Sequence, residues 1–121
     1  MVKILVVDDD PDIRELLSAW IDGTDFELVL AADGYQAVQF ARAERPDVIL
    51  LDINLPAAKG FVVHERLKRM TGLANVPVIY FSSTASAEPQ ALAAGGVRFL
   101  AKPLDRESLM RTLREVYEQS S

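Results

Sequence analysis

The chain has 121 residues, half of them hydrophobic and 26% charged, with one tryptophan and no cysteine, which is the size and balance of a single domain spanning residues 1–121. At this length folding buries roughly 65% of the unfolded chain's surface, enough to dispense with cross-links, and the lack of cysteine excludes disulfides and thiolate zinc clusters. Thirteen Lys and Arg against eighteen Asp and Glu leave a net charge of −5, which argues against direct nucleic-acid binding, because a phosphate backbone is held by an excess of cations.

The N-terminus MVKILVVDDD passes from a short apolar run straight into three acids, unlike an export signal. The other apolar runs fall far short of the roughly 20 residues a membrane helix needs, so a cytoplasmic domain with no membrane contact is expected. In chain order, Val2 to Val7 is predicted to be the first strand. Asp10 as N-cap and Pro11 at the first helical position then open a helix whose Ile13, Leu16, Leu17, Trp20 and Ile21 fall at i, i+3, i+4, i+7 and i+8. Leu28 to Ala31 reads as the second strand and Gly34 to Glu44, behind Asp33, as the second helix. Val48 to Leu51 is the third strand. Gly60 to Met70 is the third helix, with Val63, Leu67 and Met70 on its apolar face and His64 read as a surface residue. Val78 to Phe81 is the fourth strand, followed by a short helix around Pro89 to Ala94. Val97 to Leu100 is the fifth strand, and the last helix runs from about Asp105 with Leu109, Leu113 and Val116 inward. The first and third strands are apolar almost throughout, as strands covered on both faces must be. Strict alternation of strand and helix predicts an α/β fold with a parallel sheet and right-handed crossovers.

Ligands of such sheets bind beyond the carboxyl ends of the strands. Asp8, Asp9 and Asp10 follow the first strand, Asp52 ends the third, Ser82, Ser83 and Thr84 follow the fourth, and Lys102 with Pro103 follows the fifth. Two carboxylates about 4 Å apart repel by roughly 4 kcal/mol at an effective dielectric near 20, so the cluster calls for a cation or a proton. Oxygen ligands without His or Cys select a hard ion, and an incomplete set that leaves room for water and phosphate suits Mg²⁺, or Mn²⁺. With Lys102 and Ser82 these are the parts needed to hold a phosphoryl group while a carboxylate oxygen of Asp52 attacks phosphorus in line.

These residues resemble the receiver domain of two-component response regulators, the CheY-like phosphoacceptors. The resemblance runs from ILVVDDDPDIRELL through AADGYQA and RPDVILLDINLP to PVIYFSS and FLAKP, essentially the whole chain. It implies a flavodoxin-like, doubly wound (βα)5 fold with strand order 2-1-3-4-5. It also implies Asp52 as phosphoacceptor, Asp9 as a direct Mg²⁺ ligand, Asp8 as an acid that helps hold the metal, and Asn54 as the residue whose backbone carbonyl completes the metal shell. Ser82 matches the hydroxyl that bonds the phosphoryl oxygen, Lys102 the lysine that pairs with it, and Phe99 the aromatic switch position. Asn54 and Thr84 match positions that tune hydrolysis of the acyl phosphate. Pro103 resembles the proline after a cis peptide, and Pro56 and Gly60 match structural positions of the loop and helix after Asp52. The implied partners are a sensor histidine kinase or histidine phosphotransfer protein and a downstream protein that reads the surface of the last helices. No enzyme acting on other substrates is implied: a haloacid-dehalogenase-type phosphatase would need an acid where Asn54 stands.

The chain departs from the family at three places. Lys59 stands before Gly60, where Asp or Asn is usual, so a helix N-cap is lost. The 20 residues from Ser82 to Lys102 are fewer than usual, and Pro89 falls within them, so the fourth helix is expected to be short or displaced. Arg98 replaces the acidic pair through which many DNA-binding response regulators dimerise, so a monomer is expected. A degenerate receiver that only binds partners, and the receiver of a longer regulator, are the alternative readings.

Overall fold

The computed structural model describes residues 1–56 and 59–120 of the expected domain. Five strands, β1 (Val2–Val7), β2 (Phe26–Ala31), β3 (Val48–Asp52), β4 (Val78–Ser82) and β5 (Arg98–Ala101), alternate with five helices, α1 (Pro11–Ile21), α2 (Gly34–Glu44), α3 (Gly60–Lys68), α4 (Glu88–Ala93) and α5 (Arg106–Ser120). All strand pairs are parallel and the sheet order is β2-β1-β3-β4-β5, the flavodoxin-like arrangement expected.

The apolar runs of β1 and β3 are explained by two cores, one on each face of the sheet. Leu5, Val7, Ile49, Leu51 and Tyr80 pack with Ala37, Ala41, Val63 and Leu67 of α2 and α3. Ile4, Val6, Val48, Leu50, Ile79 and Phe81 pack with Leu17, Ile21, Leu109, Leu113 and Val116 of α1 and α5. Alternate residues of a strand point to opposite faces, and the register Ile4↔Val48 through Val7↔Leu51 keeps the two sets apart.

Helix starts follow local chemistry. Asp10 accepts from the Asp12 N–H at 2.9 Å, Asp33 from Gln36 at 2.8 Å and Asp105 from Ser108 at 2.8 Å; each occupies one of the donors that a first helical turn leaves unpaired. Pro89 lies in the first turn of α4, where its missing N–H costs nothing; a 3₁₀ turn, Ala85–Ala87, precedes it. The fourth helix is accordingly six residues long. β2 begins two residues earlier than its sequence pattern suggests, because Phe26 pairs with Val2 and is buried.

His64 is a correction to the sequence reading. It is 5% exposed, and its Nδ1 lies 2.6 Å from the Tyr80 hydroxyl. The buried residues of α3 are Gly60, Val63, His64 and Leu67, an i, i+3, i+4, i+7 stripe; the helix ends at Lys68, so Met70, expected on its apolar face, lies beyond it and His64 belongs to the stripe. The neighbouring turn makes room for the Tyr80 ring: a Cβ on Gly96 would come within 2.5 Å of it, while Gly95 is required by its backbone φ of 105°.

Burial, and then the charge of Lys68, holds the His64 pKa below its ordinary 6.5, with Glu65 pulling weakly the other way. The unfolded chain therefore takes up a proton that the folded chain resists, and stability present above pH 6.5 is lost as pH falls toward the depressed value. Urea unfolding between pH 7.5 and 5.5 is expected to show this loss. His64→Asn, which keeps an acceptor near the Nδ1 position but does not titrate, should flatten the slope, and an unchanged slope would contradict the assignment.

Candidate functional site

The rim of the sheet where β1 and β3 end side by side gathers the polar residues expected there. The crossovers from β1 and β3 leave to opposite sides at this point, so no connection closes over it. Asp8 is wholly buried, Asp52 is 3% exposed and Ser82 is wholly buried, whereas Asp9 faces solvent. One carboxylate oxygen from each of Asp8, Asp9 and Asp52 lies within 4.8 Å of the others. Lys102 Nζ donates to Asp8 Oδ2 at 3.0 Å and to Asp52 Oδ2 at 3.4 Å, and sits 4.8 Å from the centre of the Phe81 ring. The Lys102–Pro103 peptide is cis.

The remaining oxygens are tied to the backbone. Asp8 Oδ1 accepts from the Asp10 N–H at 2.9 Å, and Asp52 Oδ1 from the Asn54 N–H at 3.1 Å. Burial pushes the Asp8 pKa up, with the Asp52 charge adding to it, against the opposing pull of the Asp10 N–H and Lys102. For Lys102 burial works downward, but the hydrogen bond to Asp8 and the charges of both aspartates prevail and raise its pKa. Ser82 Oγ accepts from Asn54 Nδ2 at 3.2 Å and from the Thr84 N–H at 3.0 Å, leaving its own proton to donate.

Gly60 has a steric reason to be glycine. A Cβ there would stand 2.5 Å from the Asp52 carbonyl oxygen and 3.1 Å from Ile53 Cα, so only glycine lets α3 start against the end of β3, where its N–H donates to Ile53 O at 2.8 Å. Phe99 lies outside the cluster. It pairs with Tyr80 across the β4–β5 ladder and is half-buried against the core shared with α2 and α3. Pro56 is exposed and lines a groove with Tyr35 and Val62.

Sequence reasoning missed several supporting contacts. Arg14 donates to the Asp8 carbonyl at 2.8 Å, fixing the end of β1 from the first turn of α1; its place six residues beyond Asp8, on the next helix, was a usable signal. The Asn54–Ser82 bond depends on the adjacency of β3 and β4, which no local pattern reveals, and Lys59 Nζ reaches back to Asn54 Oδ1 at 3.5 Å within the segment that follows β3. The donor set is all oxygen and open on the Asp9 side, so it fits a hard divalent cation that keeps some of its water.

Residues 4–114 match the response regulator receiver domain. The chain belongs to this family. It is a receiver domain of two-component signalling, similar to protein PilH of Pseudomonas aeruginosa, 31% identical over 96% of this chain and 98% of that protein. It is also 31% identical, over 99% of its length, to the DNA-binding dual master transcriptional regulator RpaA of Synechocystis, of which it spans 51%; it covers about half the length of several such regulators. Among solved structures, this receiver superposes on the chemotaxis response regulator CheY4 of Vibrio cholerae with a TM-score of 0.88 at 31% identity, covering 96% of this chain and 98% of that one. The receiver domain of a sensor histidine kinase from Pseudomonas aeruginosa, described with a magnesium ion in its active-site cleft, gives a TM-score of 0.85 at 32% identity, covering 97% and 98%.

Lys102→Met leaves Asp8 buried without its counter-charge. The variant is expected to lose about 3 kcal/mol at pH 7 in urea unfolding. The loss should shrink as pH falls and the carboxylates take up protons. A loss independent of pH would contradict the electrostatic account.

Proposed function

We propose that Asp52 accepts a phosphoryl group from a phosphohistidine of a sensor histidine kinase or phosphotransfer protein. The observation that carries this reading is the placement of one ammonium, Lys102 Nζ, 3.0 Å from Asp8 and 3.4 Å from Asp52, with the Ser82 hydroxyl on the adjoining strand end. The Asp52 Oδ–P bond forms as the P–N bond to the donor imidazole breaks, and the ring nitrogen leaves with the electron pair. Asp8, Asp9, Asp52 and the Asn54 carbonyl would hold Mg²⁺, which when bound supplies positive charge to the phosphoryl oxygens. Lys102 holds one of those oxygens by charge and Ser82 donates to another. Asn54 and Thr84, both bonded to Ser82, govern how water reaches the acyl phosphate.

Replacing an ion pair within the rim by a phosphoryl contact pulls on Lys102, which follows β5, and on Ser82, which ends β4. Phe99, on β5 three residues before Lys102 and paired with Tyr80, is the route by which that pull reaches the face of α4, β5 and α5. The reading covers residues 1–121 as one cytoplasmic receiver domain that makes no direct contact with nucleic acid or membrane; among the described residues no helix is long and apolar enough to cross a membrane. Incubation with acetyl phosphate and Mg²⁺, followed by intact-mass measurement, is expected to show a phosphate-sized gain that Asp52→Asn abolishes. No gain, or a gain that persists in the variant, would overturn the assignment.

Arg98 supports a monomeric reading of the output face. Its Nη2 donates to Gln119 Oε1 at 3.0 Å and its Nη1 to its neighbour's carbonyl, Val97 O, at 2.9 Å, placing a cation where a symmetric acidic–basic pairing would need an acid. Sedimentation of protein saturated with beryllofluoride is expected to show a monomer; a tight dimer through α4, β5 and α5 would contradict this.

A further inference from the structure

Helices α1, α2 and α5 begin on aspartates whose carboxylates cap the first turn; the short α4 begins on Ala87 and α3 on Lys59, neither of which makes a side-chain cap bond, and of the two only Lys59 carries a charge. Lysine there forgoes the bond that an Asp or Asn would make and sets a cation against the positive end of the helix dipole. Local rules broken with no stabilising return are met chiefly at functional or strained positions. The Lys59 ammonium instead reaches back toward the rim, its Nζ 3.5 Å from Asn54 Oδ1. The same Asn54 donates its amide to Ser82 Oγ at 3.2 Å and its backbone N–H to Asp52 Oδ1 at 3.1 Å. Beside Asp52 these residues border a groove of about 320 Å³ lined by Asn54, Lys59, Phe61, Ser82, Thr84 and Gln90. Lys102 is already engaged by two carboxylates and Arg14 by the Asp8 carbonyl, whereas the contact of Lys59 is with a neutral amide.

We propose that Lys59 is a specificity-determining residue for the phosphodonor: it draws small dianionic donors of the acyl-phosphate class into the groove beside Asp52. The inference rests on Asp52 being the phosphoacceptor. With acetyl phosphate, the Asp52 Oδ–P bond forms as the bond from phosphorus to the acetyl oxygen breaks, and acetate leaves with the electron pair, so no proton has to move. Lys59 acts on the charge of the whole donor before the transfer, so its effect falls on apparent KM more than on kcat. Selection for donor capture also accounts for the poor cap, because the residue best for the helix, Asp, would repel the donor.

The test uses wild type, Lys59→Asp, Lys59→Gln and Lys59→Arg with acetyl phosphate and Mg²⁺, following phosphorylation by intact mass and stability by thermal unfolding. Lys59→Asp is expected to lose about tenfold in kcat/KM, mostly through KM, at low salt and much less at about 0.5 M salt. Its Tm should rise by roughly 4 °C as the cap is restored. Lys59→Gln should fall between, and Lys59→Arg should keep the wild-type rate. A rise in Tm with an unchanged rate would show a poor cap and nothing more, overturning the inference while leaving Asp52 as acceptor. A wild type that takes no phosphate at all would overturn the reading of the site and this inference with it.

Discussion

Asp8 and Asp52 stand at the neighbouring ends of β1 and β3, both buried, with the single ammonium of Lys102 shared between them. The strands that carry them cannot move apart, because Val7 and Leu51, the paired residues that lead into the site, are fully buried. One lysine offsets one of the two charges, and Asp9 brings a third carboxylate within 4.8 Å. At an effective dielectric near 20 each such unpaired contact costs roughly 3–4 kcal/mol. The rim is therefore held, by the packing of the whole sheet, in a state that a divalent cation would relieve.

Everything around the rim serves to keep it there. The two cores grip the sheet from both faces, so strand ends are positioned by apolar packing rather than by their own polar contacts. Gly60 lets α3 abut the carbonyl of Asp52, and Arg14 secures the carbonyl of Asp8 from the other side. β4 divides its residues by face: Phe81 lies beneath Lys102, while Tyr80 points the opposite way toward His64 and pairs with Phe99. A change at Ser82 thus adjoins both layers of the domain through consecutive residues of one strand. The short α4 buries only Ala91 of its own residues.

Much of this was legible in the residues themselves. Continuous apolar runs in β1 and β3 signalled a doubly covered sheet, and Asp10, Asp33 and Asp105 marked helix starts because capping is a local, stereotyped interaction. The acids after β1 and β3 and the lysine after β5 could be placed on one rim once parallel topology was assumed. What escaped were features decided by where a helix ends and by tertiary adjacency. Val63, Leu67 and Met70 define a plausible apolar stripe that leaves His64 on the surface, but the helix ends at Lys68 and its buried stripe runs through His64, where Tyr80 supplies the partner that a buried imidazole needs. The Asn54–Ser82 bond crosses 28 positions of sequence, and nothing in either neighbourhood announces it. Lys59 was visible as a lost cap; the direction of its side chain was not.

The central claim is that the carboxylates of the rim form one cation site whose occupancy relieves the repulsion built in by the fold. Asp9 offers the most direct check, because it is exposed and its replacement leaves the cores untouched. Urea unfolding of wild type and Asp9→Asn at pH 7, with and without millimolar Mg²⁺, measures the relief as linked binding free energy. The account predicts that Mg²⁺ stabilises the wild type and that the gain is largely lost in Asp9→Asn. Equal stabilisation of both proteins, or none of the wild type, would contradict it.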